Sequence, residues 1–219
     1  MEKELAGKWL NSNQIEAVTQ LFNSEVLLCF AACNIGSHIK HATPGYHRIG
    51  ISINTCKQTG SHWVVLLLEL DKQQAWFFDP YGFDETRYSG LPDFISRVLT
   101  AFRLGKTNNT STLIEPTWRN CASLQKDASG CGYWCLYFLK HCADSKFDAT
   151  TEDYSGWKSS DWKKESNEVW LEILYNNRSL NKTIQRIPAA EASPEKKSGG
   201  TSDVSNFSCI FILVNLPNL

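Results

Sequence analysis

Residues 62–80, "HWVVLLLELDKQQAWFFDP", set two apolar runs on either side of four polar residues. Each run has the length and the β-branched and aromatic content of a strand, and the polar interval makes the pair an antiparallel hairpin. A strand with one wet face alternates apolar and polar residues. These runs do not alternate, so the hairpin is buried on both faces. The chain of 219 residues is 42% hydrophobic, enough for one globular domain with a sizeable core.

The cover comes from helices. "WLNSNQIEAVTQLF" reads as an opening helix, with Ser12 or Asn13 as cap and Ile15, Val18, Leu21 and Phe22 on one face. "RIGISINT" alternates as a strand does. "LPDFISRVLTAFRLG" is helical, with Pro92 near its start and Gly105 after its end. The polar "KTNNTST" leads to the short apolar "LIEP", and "SNEVWLEILYNNRSL" supplies a further amphipathic helix. No internal repeat is visible, and the mixture is α+β. Residues 1–187 form the expected domain. Residues 188–219 form an expected disordered tail, opening on "PAAEASPEKKSGGTSDVSN". Its apolar end, "FSCIFILVNL", is about half the length that crosses a bilayer. Docking on the domain, binding a partner, or an artefact of sequence assembly all remain open for it.

Charge and cysteine usage narrow the function. Twenty-two basic against 23 acidic residues leave no net field to recruit nucleic acid or anionic lipid. Eight cysteines are too sparse for a disulfide-built scaffold. The opening residues lack the apolar core of a signal peptide, so triplets such as Asn108-Asn109-Thr110 carry little weight. The expectation is an intracellular protein, cytoplasmic or nuclear, monomeric, with reduced thiols. No cofactor, metal, nucleic-acid or membrane partner is expected.

"ASGCGYWCLYFLKHC", residues 128–142, sets Cys131 between Gly130 and Gly132 at the start of an apolar helix. Exposed N–H groups and the positive end of the helix dipole favour a thiolate there. Cys131, Cys135 and Cys142 also share one helical face, the pattern of buried thiols. Partners decide between these readings. With a turn near Leu70–Asp71, His62 lies directly opposite Asp79, close enough for a carboxylate to fix the imidazole tautomer. Gln125, six residues before Cys131, is an amide placed to donate to an oxyanion, with the Cys131 N–H as a second donor. Gly130 and Gly132 leave room for a substrate backbone to approach the sulfur.

Together, "TGSHWVVLLLELDKQQAWFFDPYGFDETR" and "LQKDASGCGYWCLYFL" resemble the adenovirus-protease and ubiquitin-like-protein-protease group of cysteine peptidases. The matching positions are His62-Trp63, Asp79, Gln125 and Cys131-Gly132. "FFDPYGF" and "INTCKQTGSHW" look closer to the adenovirus and virus-like transposon type, while "KWLNSNQI" is reminiscent of the ubiquitin-like-protein proteases. The resemblance covers residues 50–140. It implies a central mixed sheet flanked by helices, with the nucleophile on a buried helix. It further implies Cys131 as nucleophile, His62 as general base and acid, Asp79 as its orienting group and Gln125 in the oxyanion hole. Trp63 would shield the histidine.

In the adenovirus enzyme a peptide joined by a disulfide, and DNA, activate catalysis. Here Cys121 lies too near Cys131 for that arrangement, and the basic excess that DNA requires is missing. Two peptidase readings follow, an endopeptidase that processes viral or transposon precursors near glycine and a peptidase that deconjugates a ubiquitin-like modifier. A zinc or redox protein is the non-enzymatic alternative, but the helix lacks paired Cys-x-x-Cys spacing.

Overall fold

The computed structural model describes residues 9–22, 24–32, 46–54, 62–107, 113–165 and 170. Its central sheet has five strands in the order β1-β2-β3-β4-β7: β1 Leu27–Ala31, β2 Arg48–Asn54, β3 Trp63–Glu69, β4 Gln74–Phe78 and β7 Trp118–Arg119. Pairing is parallel at both edges (β1 with β2, β4 with β7) and antiparallel between β2, β3 and β4, so the sheet is mixed. A two-stranded ribbon, β5 Lys106–Thr107 with β6 Ile114–Glu115, lies apart from it.

Every residue of β3 is buried, and the strand divides its side chains between two cores. Trp63, Val65 and Leu67 face a core with α1 (Ser12–Thr19), α3 (Cys131–Cys142) and Trp162 of α4 (Ser159–Glu165). Val64, Leu66 and Leu68 face α2 (Leu91–Phe102), through Leu91, Ile95, Val98 and Leu99. The unbroken apolar run follows from this double cover. On β2 the α3-facing position is Gly50. A Cβ there would meet Leu139 at 2.4 Å, so the missing side chain lets α3 lie close on the sheet.

Three local expectations are corrected. The N-cap of α1 is Asn11, whose side chain accepts from the Gln14 N–H while Gln14 returns the bond, a capping box one residue before the expected site. β1 was not anticipated. The β3–β4 connection occupies Leu70–Gln73, with Gln73 at φ 52°, and the ladder pairs Val65 with Phe78 and Glu69 with Gln74. That register is two residues away from the one setting His62 directly opposite Asp79. A shift of two preserves the face, so the side chains still meet on the diagonal.

The far end of α3 is held by Arg48. Its guanidinium donates to the Cys142, Asp144 and Phe147 carbonyls at 2.6–2.9 Å and pairs with the buried Glu69 at 2.6 Å. Carbonyls left over at a helix C-terminus thus find a buried cation. Among the described residues no helix is long and apolar enough to cross a membrane. The expected helix at 166–180 and the tail lie outside the described residues, except for Trp170, which stacks near Tyr133.

Candidate active site

His62 precedes β3 and Asp79 follows β4, so the hairpin delivers both to one end of the sheet. The His62 Nε2 stands 2.7 Å from the Asp79 Oδ1, and Asp79 is fully buried. A bare carboxylate in that position would be costly. Here Oδ1 also accepts the Tyr81 N–H at 2.8 Å, and Oδ2 accepts the Tyr88 hydroxyl at 2.5 Å. Asn120 fixes the backbone beneath it: its Oδ1 accepts the Asp79 N–H at 2.7 Å, and its Nδ2 donates to the Asp79 carbonyl at 2.8 Å.

Residues 79–82 make a tight turn closed by the Gly82 N–H on the Asp79 carbonyl, 2.8 Å. Gly82 has φ 75°, and a Cβ there would strike the Cys121 carbonyl at 2.9 Å, so this position requires glycine. The Pro80 carbonyl accepts the N–H groups of Leu124 and Gln125, both at 2.9 Å. The turn that carries Asp79 is thereby bolted to the loop that carries Gln125.

Cys131 is the first residue of α3 and is buried. The Asp127 Oδ1 accepts the N–H groups of Ser129 and Gly130, at 2.9 and 2.6 Å, and so shapes the approach to the helix. His62 hydrogen-bonds to Cys131 as well as to Asp79. With Nε2 on the carboxylate, Nδ1 is the nitrogen left for the sulfur. Burial works against a charged imidazole, but the hydrogen bonds and negative charge of Asp79 and Cys131 outweigh it, lifting His62 from 6.5 to about 9. The ring is also stacked against Tyr81 and Tyr88, with centroids 4.8 and 5.6 Å away.

Burial pushes Cys29, Cys135 and Cys142 well above the ordinary thiol range, which makes them core residues. Cys135 donates to the Trp63 carbonyl at 3.2 Å. Among the described residues no group of three or more His, Cys, Asp or Glu side chains is placed to hold a metal ion.

Of the expected site residues, His62, Asp79 and Cys131 come together directly. Gln125 is buried close by, its Nε2 donating to the Asp127 carbonyl at 2.6 Å and to the Tyr81 hydroxyl at 3.2 Å. Trp63 is buried, with its Nε1 donating to the Leu10 carbonyl at 2.8 Å, so it joins the N-terminal segment to the site. The two glycines stand elsewhere than expected. A Cβ on Gly132 would press on Leu10 and Ile15 at 3.2–3.4 Å, so its bareness makes room for α1. A Cβ on Gly130 would meet the Asp127 carboxylate at 2.9 Å, so there it admits the loop's own hydrogen bond. Sequence reasoning missed Asn120, Tyr81 and Tyr88. The one available signal was "DPYG", a turn motif that carries an aromatic residue next to the expected carboxylate.

Comparison with known proteins agrees with this architecture. The family model for adenovirus endoprotease matches residues 46–155, half of the chain, a span that includes His62, Asp79, Gln125 and Cys131. No curated protein matches in sequence. Similar solved structures include the C-terminal protease domain of Ulp1 in complex with Smt3, the yeast ortholog of SUMO. It is 16% identical over 79% of this chain and 80% of that one, with a TM-score of 0.54. A de-sumoylating protease is 13% identical over 81% and 85%, with a TM-score of 0.50. These structures share the fold, a mixed sheet between helices. The chain belongs to the adenovirus endoprotease family, and it shares its fold with the Ulp1 protease domain.

Proposed function

We propose that this peptidase hydrolyses peptide bonds through Cys131, His62 and Asp79, with Gln125 as an oxyanion donor. The observation that carries the reading is His62 bonded at once to a buried carboxylate and to the sulfur at a helix start. A histidine that keeps its proton at neutral pH is the counterion a thiolate needs. The Cys131 thiolate attacks the substrate carbonyl carbon, and the carbonyl oxygen takes the negative charge. Gln125 and the Cys131 N–H donate to that oxygen. His62 passes its proton to the leaving amine as the C–N bond breaks, which leaves a thioester on Cys131. Water then attacks the thioester with His62 as base, the C–S bond breaks, and the acid product departs. Asp79 holds the ring with Nε2–H inward and stabilises the imidazolium that each cycle regenerates.

The substrate class we infer is a protein precursor cut near glycine, of viral or transposon origin, supported by the adenovirus endoprotease match. A ubiquitin-like modifier conjugate is the second reading, supported by the likeness to a Ulp1 domain bound to Smt3. Turnover of a fluorogenic Gly-Gly peptide by wild type and Cys131→Ala tests the chemistry, and the variant should fall to background. Wild-type turnover by Cys131→Ala would refute the assignment. Comparing that peptide with full-length modifier conjugates separates the two substrate classes.

A further inference from the structure

One residue touches the carboxylate, the histidine and the amide of the site just described. The Tyr81 N–H donates to the Asp79 Oδ1, and its ring stacks on His62. Its hydroxyl donates to the Asp127 carbonyl at 3.0 Å and accepts from the Gln125 Nε2 at 3.2 Å. Asp127 in turn ties Ser129 and Gly130 ahead of the nucleophile.

The orientation of the Gln125 amide follows from these contacts. The Asp127 carbonyl can only accept, so the group 2.6 Å from it has to be the NH2 end of the amide. The Gln125 Oε1 is buried and has no hydrogen-bond partner among the described residues, so none of them helps to set the plane at its oxygen end. Both Nε2 hydrogens are therefore engaged in the resting site, and the one on the Tyr81 hydroxyl, the longer bond at 3.2 Å, is the one that can turn to an oxyanion while the Asp127 carbonyl keeps the other. Tyr81 also fastens the shared acceptor, because its own O–H points at the same Asp127 carbonyl. Burial and the negative charge of Cys131, Asp127 and Asp79 raise the Tyr81 hydroxyl, so it stays a donor.

We infer that Tyr81 is a positioning residue for the oxyanion donor: its hydroxyl aims the Gln125 amide and pins the loop to the turn that carries Asp79. The inference rests on the peptidase reading above. An oxyanion hydrogen bond acts on the transition state more than on bound substrate, so misaiming its donor lowers kcat and spares KM. Outright loss of such a donor costs about 10²–10³ in kcat, and misplacement should cost about 10-fold.

The test is a double-mutant cycle on the full chain with a fluorogenic Gly-Gly peptide. Tyr81→Phe keeps the ring on His62 and the N–H on Asp79 and removes only the hydroxyl. We expect kcat to fall about 10-fold, with KM and the alkaline limb of the pH profile unmoved. In a Gln125→Ala background the same change should cost less than about 2-fold, because Tyr81 acts through that amide. An equal loss in both backgrounds, a wild-type kcat, or a rise in kcat would each overturn the inference. Activity surviving in Cys131→Ala would instead overturn the underlying assignment. Activity lost there but intact in Tyr81→Phe overturns the role of Tyr81 alone.

Discussion

Replacing Asp79 with asparagine removes a charge from the site while leaving its shape. The amide oxygen can still accept from the His62 Nε2–H and the Tyr81 N–H, and its NH2 can donate to the Tyr88 oxygen in place of accepting from it. The backbone clamp from Asn120 is untouched. What changes is the electrostatics at His62, which Asp79 and Cys131 lift to about 9 against the opposing effect of burial. Without the carboxylate, burial gains ground and the imidazole should titrate near its ordinary value of 6.5 or below. At pH 7.5 the protonated share then drops from nearly all molecules to about one tenth, worth about 10-fold in rate. Lost stabilisation of the imidazolium adds to this, for a total of about 10 to 10³, below the roughly 10⁴ seen for the same change in a serine protease. The assay is kcat/KM against pH on a fluorogenic Gly-Gly peptide. Wild type should lose activity near pH 9, the variant about two or more pH units lower, and the deficit should shrink by about 10-fold at pH 5.5. Coincident alkaline limbs, or equal rates at pH 7.5, would refute the reasoning.

Three further outcomes are expected. Folding raises the pKa of His62, so its ionisation stabilises the fold below about pH 6.5. That contribution, on the order of 3 kcal/mol, fades as pH rises through 9, and urea titrations at pH 6 and 10 should show the loss in wild type and a smaller one in His62→Gln. Arg48→Met strands Glu69 and the end of α3, which should cost about 3–5 kcal/mol and lower Tm by roughly 10 °C. Adding Glu69→Met should recover much of that loss in the same melting experiment. Gly132→Val drives a side chain into Leu10 and Ile15 and should destabilise by about 1–3 kcal/mol in urea titration, whereas a wild-type midpoint would show that α1 yields freely.

What the sequence disclosed and what it hid have separate physical causes. The β3–β4 hairpin, α2 and α3 are written in local patterns, in apolar runs and periodicity that need no distant partner to be read. β1 is equally apolar, but its partner is the parallel β2, and parallel pairing carries no local hairpin signal. The hairpin register slipped by two because the connection uses four residues, with Gln73 in a left-handed conformation that its side chain does not signal. His62 and Asp79 still met, since a slip of two keeps the face. Asn120, Tyr81 and Tyr88 were hidden for another reason. Each is an ordinary polar or aromatic residue until the Asp79–Gly82 turn and the loop above it are folded together. Gly130 and Gly132 flank the cysteine as a substrate channel would require, but only coordinates reveal that Asp127 and α1 occupy the space.

The order in which the site's parts occur along the chain sets when chemistry becomes possible. His62 and Asp79 are joined by a hairpin whose strands meet across a four-residue turn, so their union is a local event of the kind that completes early. Cys131 comes 69 residues after His62 and reaches it only when α3 settles on Gly50. During synthesis, therefore, His62 and Asp79 can be joined while Cys131 is still inside the ribosome. Under the proposed assignment, a nascent chain of this design carries no competent thiol until α3 has settled on the sheet. Under that assignment, hydrolysis waits for this contact to form.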